Sequence, residues 1–321
     1  MTGATDVDGT LIVSSGTYNA DGASDIDGTL SITGTGVYDA DNTFTAENGA
    51  VTFTGAGFLR CDNTVTNLGT LSTGAGTVEY DGGTQNVIAD SYYNLEIDQA
   101  GVKTALGSVN ALGTLTVKSG STYAIGGTIT TVTGATDLNG TTTISTGTLD
   151  ANGTFDASGS TIDFTGAGRL KVSGLVSGFG TLDDAAGTVE YDGGTQNVIT
   201  DTYYNLEIDQ SGTKTQTGYV TANGTFTVQS GATYALASNI WHTVNGASDI
   251  NGTITTSTGN YAAVGAFDAT GGNVTFTAGG SLRLSSTPTS LGTLSSSAGT
   301  VNYYGATMNV IEDTYYNLEI N

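Results

Sequence analysis

Four phrases of the sequence place oxygen-bearing side chains at positions i and i+2 ahead of a glycine. They are Asp6-Val7-Asp8-Gly9, Asp25-Ile26-Asp27-Gly28, Asp137-Leu138-Asn139-Gly140 and Asp249-Ile250-Asn251-Gly252. On an extended chain residues i and i+2 share a face. Stacking the first two phrases would therefore gather Asp6, Asp8, Asp25 and Asp27 into a ladder of like charges. A hard cation relieves such a ladder, which makes Ca2+ the candidate ligand. The full spacing of a calcium loop is absent, and Asp-Gly or Asn-Gly is also ordinary turn chemistry.

Three further groups could carry chemistry. Trp241 and His242 are each the single residue of their kind, and an exposed Trp can stack on a sugar ring, so the pair is the candidate glycan contact. Asp183 and Asp184 are adjacent acids, but neighbours on a strand point to opposite faces and cannot converge on one bond. Cys61 corresponds to Val172 and Leu284 in the phrases Leu-Arg-Cys, Leu-Lys-Val and Leu-Arg-Leu, which reads as a core position rather than a nucleophile. Arg60, Lys171 and Arg283 share one outward position, and Lys103 and Lys214 are expected outward in the same way, as cations that neutralise nearby carboxylates. Thr-x-Thr phrases such as Thr141 to Thr143 mix with Asp, Glu, Lys and Ser, so Thr serves as a polar β-former. Glycan hydrolysis or elimination needs convergent carboxylates or a base with a cation. No such cluster is legible, and the expectation is a protein without catalytic residues.

The scaffold that must position these residues is written in the composition. Among 321 residues there are 49 Gly and one Pro, with 12% charged residues, against averages of roughly 7% for Gly and 25% for charge. Thr, Val, Ile, Tyr and Phe fill the apolar positions, and Gly, Asn, Asp and Ser recur as turn formers, so the fold class is all-β. A net charge of −23 repels phosphate backbones and anionic headgroups, which argues against nucleic acid as a partner. No apolar run reaches membrane-spanning length, and the segment after Met1 has neither the basic start nor the apolar core of a secretion signal.

The sequence repeats itself at two lengths. The phrase from Ala75 to Ile88 returns from Ala186, and more loosely from Ala298. The hexapeptide Tyr-Tyr-Asn-Leu-Glu-Ile stands at 92–97, 203–208 and 315–320. At the N-terminus, Gly-Ala-Thr-Asp-Val-Asp-Gly-Thr-Leu from Gly3 returns in close copy from Gly22. A closed sandwich cannot absorb one extra copy of this short repeat without changing strand order, whereas a solenoid adds one turn and continues. The expectation is a single continuous parallel β-helix (β-solenoid) over 1–321. Its rungs hold roughly 20 residues, and its superrepeats, of about 112 residues, run over 1–131, 132–243 and 244–321. In this reading Tyr93, Leu95 and Ile97 face inward and Tyr92, Asn94 and Glu96 outward.

Asn94 to Ile97 (Asn-Leu-x-Ile), Gly113 to Val117 (Gly-Thr-Leu-x-Val) and Ser119 to Tyr123 (Ser-Gly-x-Thr-Tyr) have relatives through nearly the whole chain. The pattern resembles the repetitive passenger and stalk regions of secreted bacterial surface proteins, the adhesin-like β-helices. The resemblance implies an extracellular structural role as stalk, spacer or fibre segment, and transfers no catalytic or binding residue. The other reading is a glycan-binding or glycan-processing β-helix. Both chain ends cut through a repeat, so the remaining partner expected is a second copy. There Tyr315, Tyr316, Leu318 and Ile320 would add to the strand carrying Val7, Leu11 and Val13.

Overall fold

The computed structural model describes residues 3–183 and 185–321, so Met1, Thr2 and Asp184, the second member of the acidic pair, lie outside the described residues. The chain is an all-β parallel β-solenoid of about 16 turns with about 20 residues in each. Among the described residues there is no helix, and hence none long and apolar enough to cross a membrane. Two compact units are present, Met1–Gly168 with Ser177–Thr181, and Arg169–Val176 with Leu182–Asn321.

In the first unit each short strand pairs in parallel with its equivalent one turn later. Thr5 stands against Ser24 and Thr10 against Thr29, so the short repeat is one turn. Gly22 and Gly28, in the second copy of that repeat, are fixed by the stacking. A Cβ on Gly28 would lie 2.0 Å from the carbonyl oxygen of Gly9, closer than any side chain tolerates. The longest sheet of this unit runs through Thr17–Ala20, Val37–Ala40, Phe58–Cys61, Thr77–Tyr80, Asn94–Ile97 and Leu115–Val117. Its inward positions form columns of apolar side chains, Tyr38, Leu59, Val78 and Leu95 in one, and Ala40, Cys61, Tyr80 and Ile97 in the next. Alternate positions face out, as the two-residue period of a strand requires.

Cys61 sits in that second column as expected, buried, with burial and the nearby Asp81 pushing its thiol pKa well up. A thiol reagent should label the native protein slowly and the denatured protein at once. Rapid native labelling would contradict the inward phase of Phe58–Cys61.

The hexapeptide departs from its expected phase. Ser91–Tyr92 and Asn94–Ile97 are separate strands in different sheets, and the chain turns a corner at Tyr93. Tyr92 is therefore buried and Tyr93 is exposed, while Leu95 and Ile97 are buried as expected. Alternation cannot be carried through a corner, because the inward direction changes there. The Tyr92 hydroxyl lies 3.0 Å from that of Tyr80 and donates to the Ile88 carbonyl at 2.8 Å, closing the loop between them.

The second unit repeats this construction. Thr188–Tyr191 pairs with Asn205–Ile208, and Thr300–Tyr303 with Asn317–Ile320, each pair in register. These two copies of one phrase lie in different sheets of the unit.

Candidate functional site: a ladder of outward carboxylates

In the first unit, the outward positions of the long sheet place Asn19, Asp39, Arg60, Glu79, Glu96 and Thr116 in one column, each in register with the next. Two positions further on, each strand ends at a corner, and the corner residues are Asp21, Asp41, Asp62, Asp81, Asp98 and Lys118. Backbone hydrogen bonds hold this second column turn on turn: Asp62 N donates to Ala40 O at 3.0 Å, Asp81 N to Cys61 O at 3.2 Å and Asp98 N to Tyr80 O at 3.0 Å. Five aspartates in succession therefore stack along one corner, beside a column that holds three more acids.

Among the described residues, two basic side chains meet the acids of the first column. Arg60 donates to Glu79 at 2.8 Å, and Lys118 lies 3.3 Å from Glu96. Carboxylate oxygens of Asp39, Asp41 and Asp62 lie within 4.8 Å of one another, as do those of Glu79, Glu96 and Asp98. Burial raises the pKa of Asp39 and of Glu79, with Arg60 working against it in both. Asp81 is the extreme case, pushed up to about 8 by burial and then by the adjoining Asp62. Sequence comparison at the superrepeat spacing passes over this ladder. Its signal is the recurrence of an inward residue followed by Asp at Ala20, Ala40, Cys61, Tyr80 and Ile97, one turn apart.

The corresponding column of the second unit is neutralised. Arg169 reaches both Glu190 and Glu207, and Lys171 lies 3.3 Å from Glu190 and 3.0 Å from Asp192. Arg60 and Lys171 thus play the neutralising part expected of them. Arg283 instead stands over two rings, 5.3 Å from that of Trp241 and 4.5 Å from that of Tyr304.

Lys103 and Lys214 do not face outward as expected but are buried. The Lys103 ammonium donates to the carbonyls of Asp98 and Gln99, and that of Lys214 to those of Asp209 and Gln210. Gln99 and Gln210 adopt left-handed backbone, with φ of 55° and 56°, in turns whose carbonyls face inward and require a donor.

The other sequence candidates sort by burial. Trp241 is half-buried on the outer face, whereas His242 is in the core, its Nδ1 2.9 Å from the Tyr234 hydroxyl and its ring stacked on Tyr261 at 5.1 Å. Burial lowers its pKa to about 3, so it is neutral and faces away from any external ligand. Of the calcium candidates, Asp6 and Asp25 are paired in register, and all four of Asp6, Asp8, Asp25 and Asp27 are exposed. Slight desolvation within the ladder, followed by the charges of Asp27, Asp6 and Asp8, raises the pKa of the exposed Asp25, and Asn48 donates to Asp27 at 3.1 Å. Asp183 accepts from the Ala185 amide at 2.9 Å, as a turn residue does.

Among the described residues, one surface recess is lined by Asn63, Thr64, Val65, Thr84, Gln85 and Asn86, and another by residues around Gly174, Leu175 and Gln196. They are repeat equivalents, one superrepeat apart. In each, the glutamine side chain donates to two carbonyls of the previous turn, Cys61 and Asn63 or Val172 and Gly174. Compared with known proteins, the chain matches no family model, no curated protein and no solved structure.

Proposed function

We propose that the chain is a structural repeat segment, a stalk, spacer or fibre component of an adhesin-like protein on a bacterial surface or in its matrix. The observation that carries this reading is the equivalence of the recesses. Each is bridged by the same glutamine in the same way, which is what turn-to-turn stitching requires and what a dedicated substrate site does not. The paired cations and the buried lysines serve the same end, since each ties neighbouring turns or closes a turn. The segment joins either adjacent repeats of a longer chain or further copies of itself.

The second reading, contact with surface glycans, draws on one observation: Trp241, Arg283 and Tyr304 form an outward group of two aromatic rings around a guanidinium. Electron microscopy of the chain, alone and with one more superrepeat inserted, separates the two. A spacer gains length in proportion and shows no glycan binding on an array. Selective binding of one glycan, lost in Trp241→Ala, would instead favour the glycan reading.

A further inference from the structure

The second superrepeat supplies an internal control for the acidic corner of the first. In the alignment that sets Ala75 against Ala186, Asp62 corresponds to Ser173 and Asp81 to Asp192. In the second copy, the Ser173 hydroxyl donates to Asp192 Oδ1 at 2.7 Å, and Lys171 stands 3.0 Å from Asp192 Oδ2. In the first copy, the serine is replaced by a second carboxylate, Asp62, which follows Cys61 just as Asp81 follows its register partner Tyr80, so the two acids stand on neighbouring turns of one corner. The basic residue, Arg60, is engaged by Glu79 at 2.8 Å. Asp81 Oδ1 is buried and meets no donor among the described residues.

We propose that Asp62 and Asp81 share one proton, so that this corner of the first unit is a pH-responsive joint, closed when the pair holds the proton and strained when both carboxylates are ionised. Two carboxylates in contact cannot both ionise cheaply, and a proton between them supplies the donor that serine supplies in the other copy. The surroundings favour that proton. Asp98 faces Asp81 from the following turn, Glu79 and Asp39 face it from the outward column, and Asp41 adjoins Asp62. Among the described residues, the cations that act on Asp81 are Arg60, paired with Glu79, and Lys103, whose ammonium is held by the carbonyls of Asp98 and Gln99. The Cys61 thiol beneath carries no charge to offset them.

The sign of the effect follows from linkage. Asp81 goes from an ordinary value of 3.8 to about 8 on folding, so the folded form holds a proton that the unfolded form gives up. The stabilisation is full below the unfolded value, declines as pH rises, and is gone once pH passes the folded value. The pair titrates as a unit.

The test is thermal unfolding with a chelator present, at about pH 5.5 and about pH 8.5, on the wild-type chain, Asp62→Ser and Asp81→Asn. Wild-type Tm should be lower at the higher pH by about 5 °C, and both variants should reduce that difference to near zero. Carboxyl 13C titration with labelled aspartate should show a proton retained above about pH 6 and absent from Asp62→Ser. A wild-type Tm that is level or rises with pH, or a fall that both variants keep, overturns the proposal. So does a millimolar calcium effect that exceeds the acid effect and vanishes in Asp62→Ser, because the pair would then hold a cation in place of the proton.

Discussion

Tyr80→Ala should destabilise the first unit by about 3–5 kcal/mol, and Tyr80→Phe by about 1 kcal/mol. The ring of Tyr80 is fully buried and packs edge-on against that of Tyr92, with 6.4 Å between centroids. It stands in the inward column between Cys61 and Ile97, in register with both. Alanine leaves a void in that column which the stacked strands cannot close without sliding the ladder on either side. It also removes the oxygen that accepts from the Ile88 amide and pairs with the Tyr92 hydroxyl at 3.0 Å. Phenylalanine removes only the oxygen. Denaturant melts combined with hydrogen exchange at the Ile88 amide measure the two costs. Equal small losses for both variants would mean that the loop from Asp81 to Ser91 is held by its turns and not by this ring.

Raising ionic strength should convert the chain from monomer to end-to-end assemblies. The strand Asn317–Ile320 has the sequence of Asn94–Ile97 and Asn205–Ile208, yet its apolar side chains are open: Leu318 is 44% and Ile320 66% exposed, with Tyr316 at 59%. In the earlier copies a following strand lies over these positions, Leu115 opposite Leu95 and Phe226 opposite Leu206. Among the described residues, the strands Thr5–Val7 and Thr10–Val13 each pair along one edge only, with Val7 and Val13 turned inward and Leu11 half-buried. For the chain as it stands, the expectation is that a second copy covers this strand, with backbone groups meeting as a ladder. A net charge of −23 opposes that approach. Its reach is about 30 Å at 0.01 M salt and about 8 Å at 0.15 M. Light scattering should report monomer at the first and growing mass at or above the second. Ile320→Lys, or removal of residues 315–321, should suppress the growth. A monomer at every salt concentration would sink the idea.

The architecture was legible because a solenoid writes its period directly into the chain. Thr5 opposite Ser24 is the short repeat seen as a contact, and Cys61 falls in the column that Val172 and Leu284 predict. What was not legible lies at corners. Tyr92 and Tyr93 exchange faces because two strands meet there, and the Lys103 ammonium turns inward to serve carbonyls whose direction depends on the left-handed Gln99. His242 was paired with Trp241 as a candidate glycan contact because each is the single residue of its kind, but the alternation of Trp241–Val244 places it in the core. The acidic corner escaped for another reason. Long-period alignment compares Asp62 with Ser173, whereas the charge accumulates at the short period, with Asp41 and Asp81.

The two copies of the Thr-Val-x-Tyr and Asn-Leu-Glu-Ile pairing within the second unit occupy different sheets. The superrepeat is thus not a whole number of turns, and equivalent side chains do not share a plane. A flat partner, such as a crystal face or a planar lattice of receptors, gains avidity only when it meets several identical groups at once. For such a partner these copies count as separate single sites. Sequence repetition here multiplies length without multiplying valency, and a partner must wrap around the unit to engage both copies together.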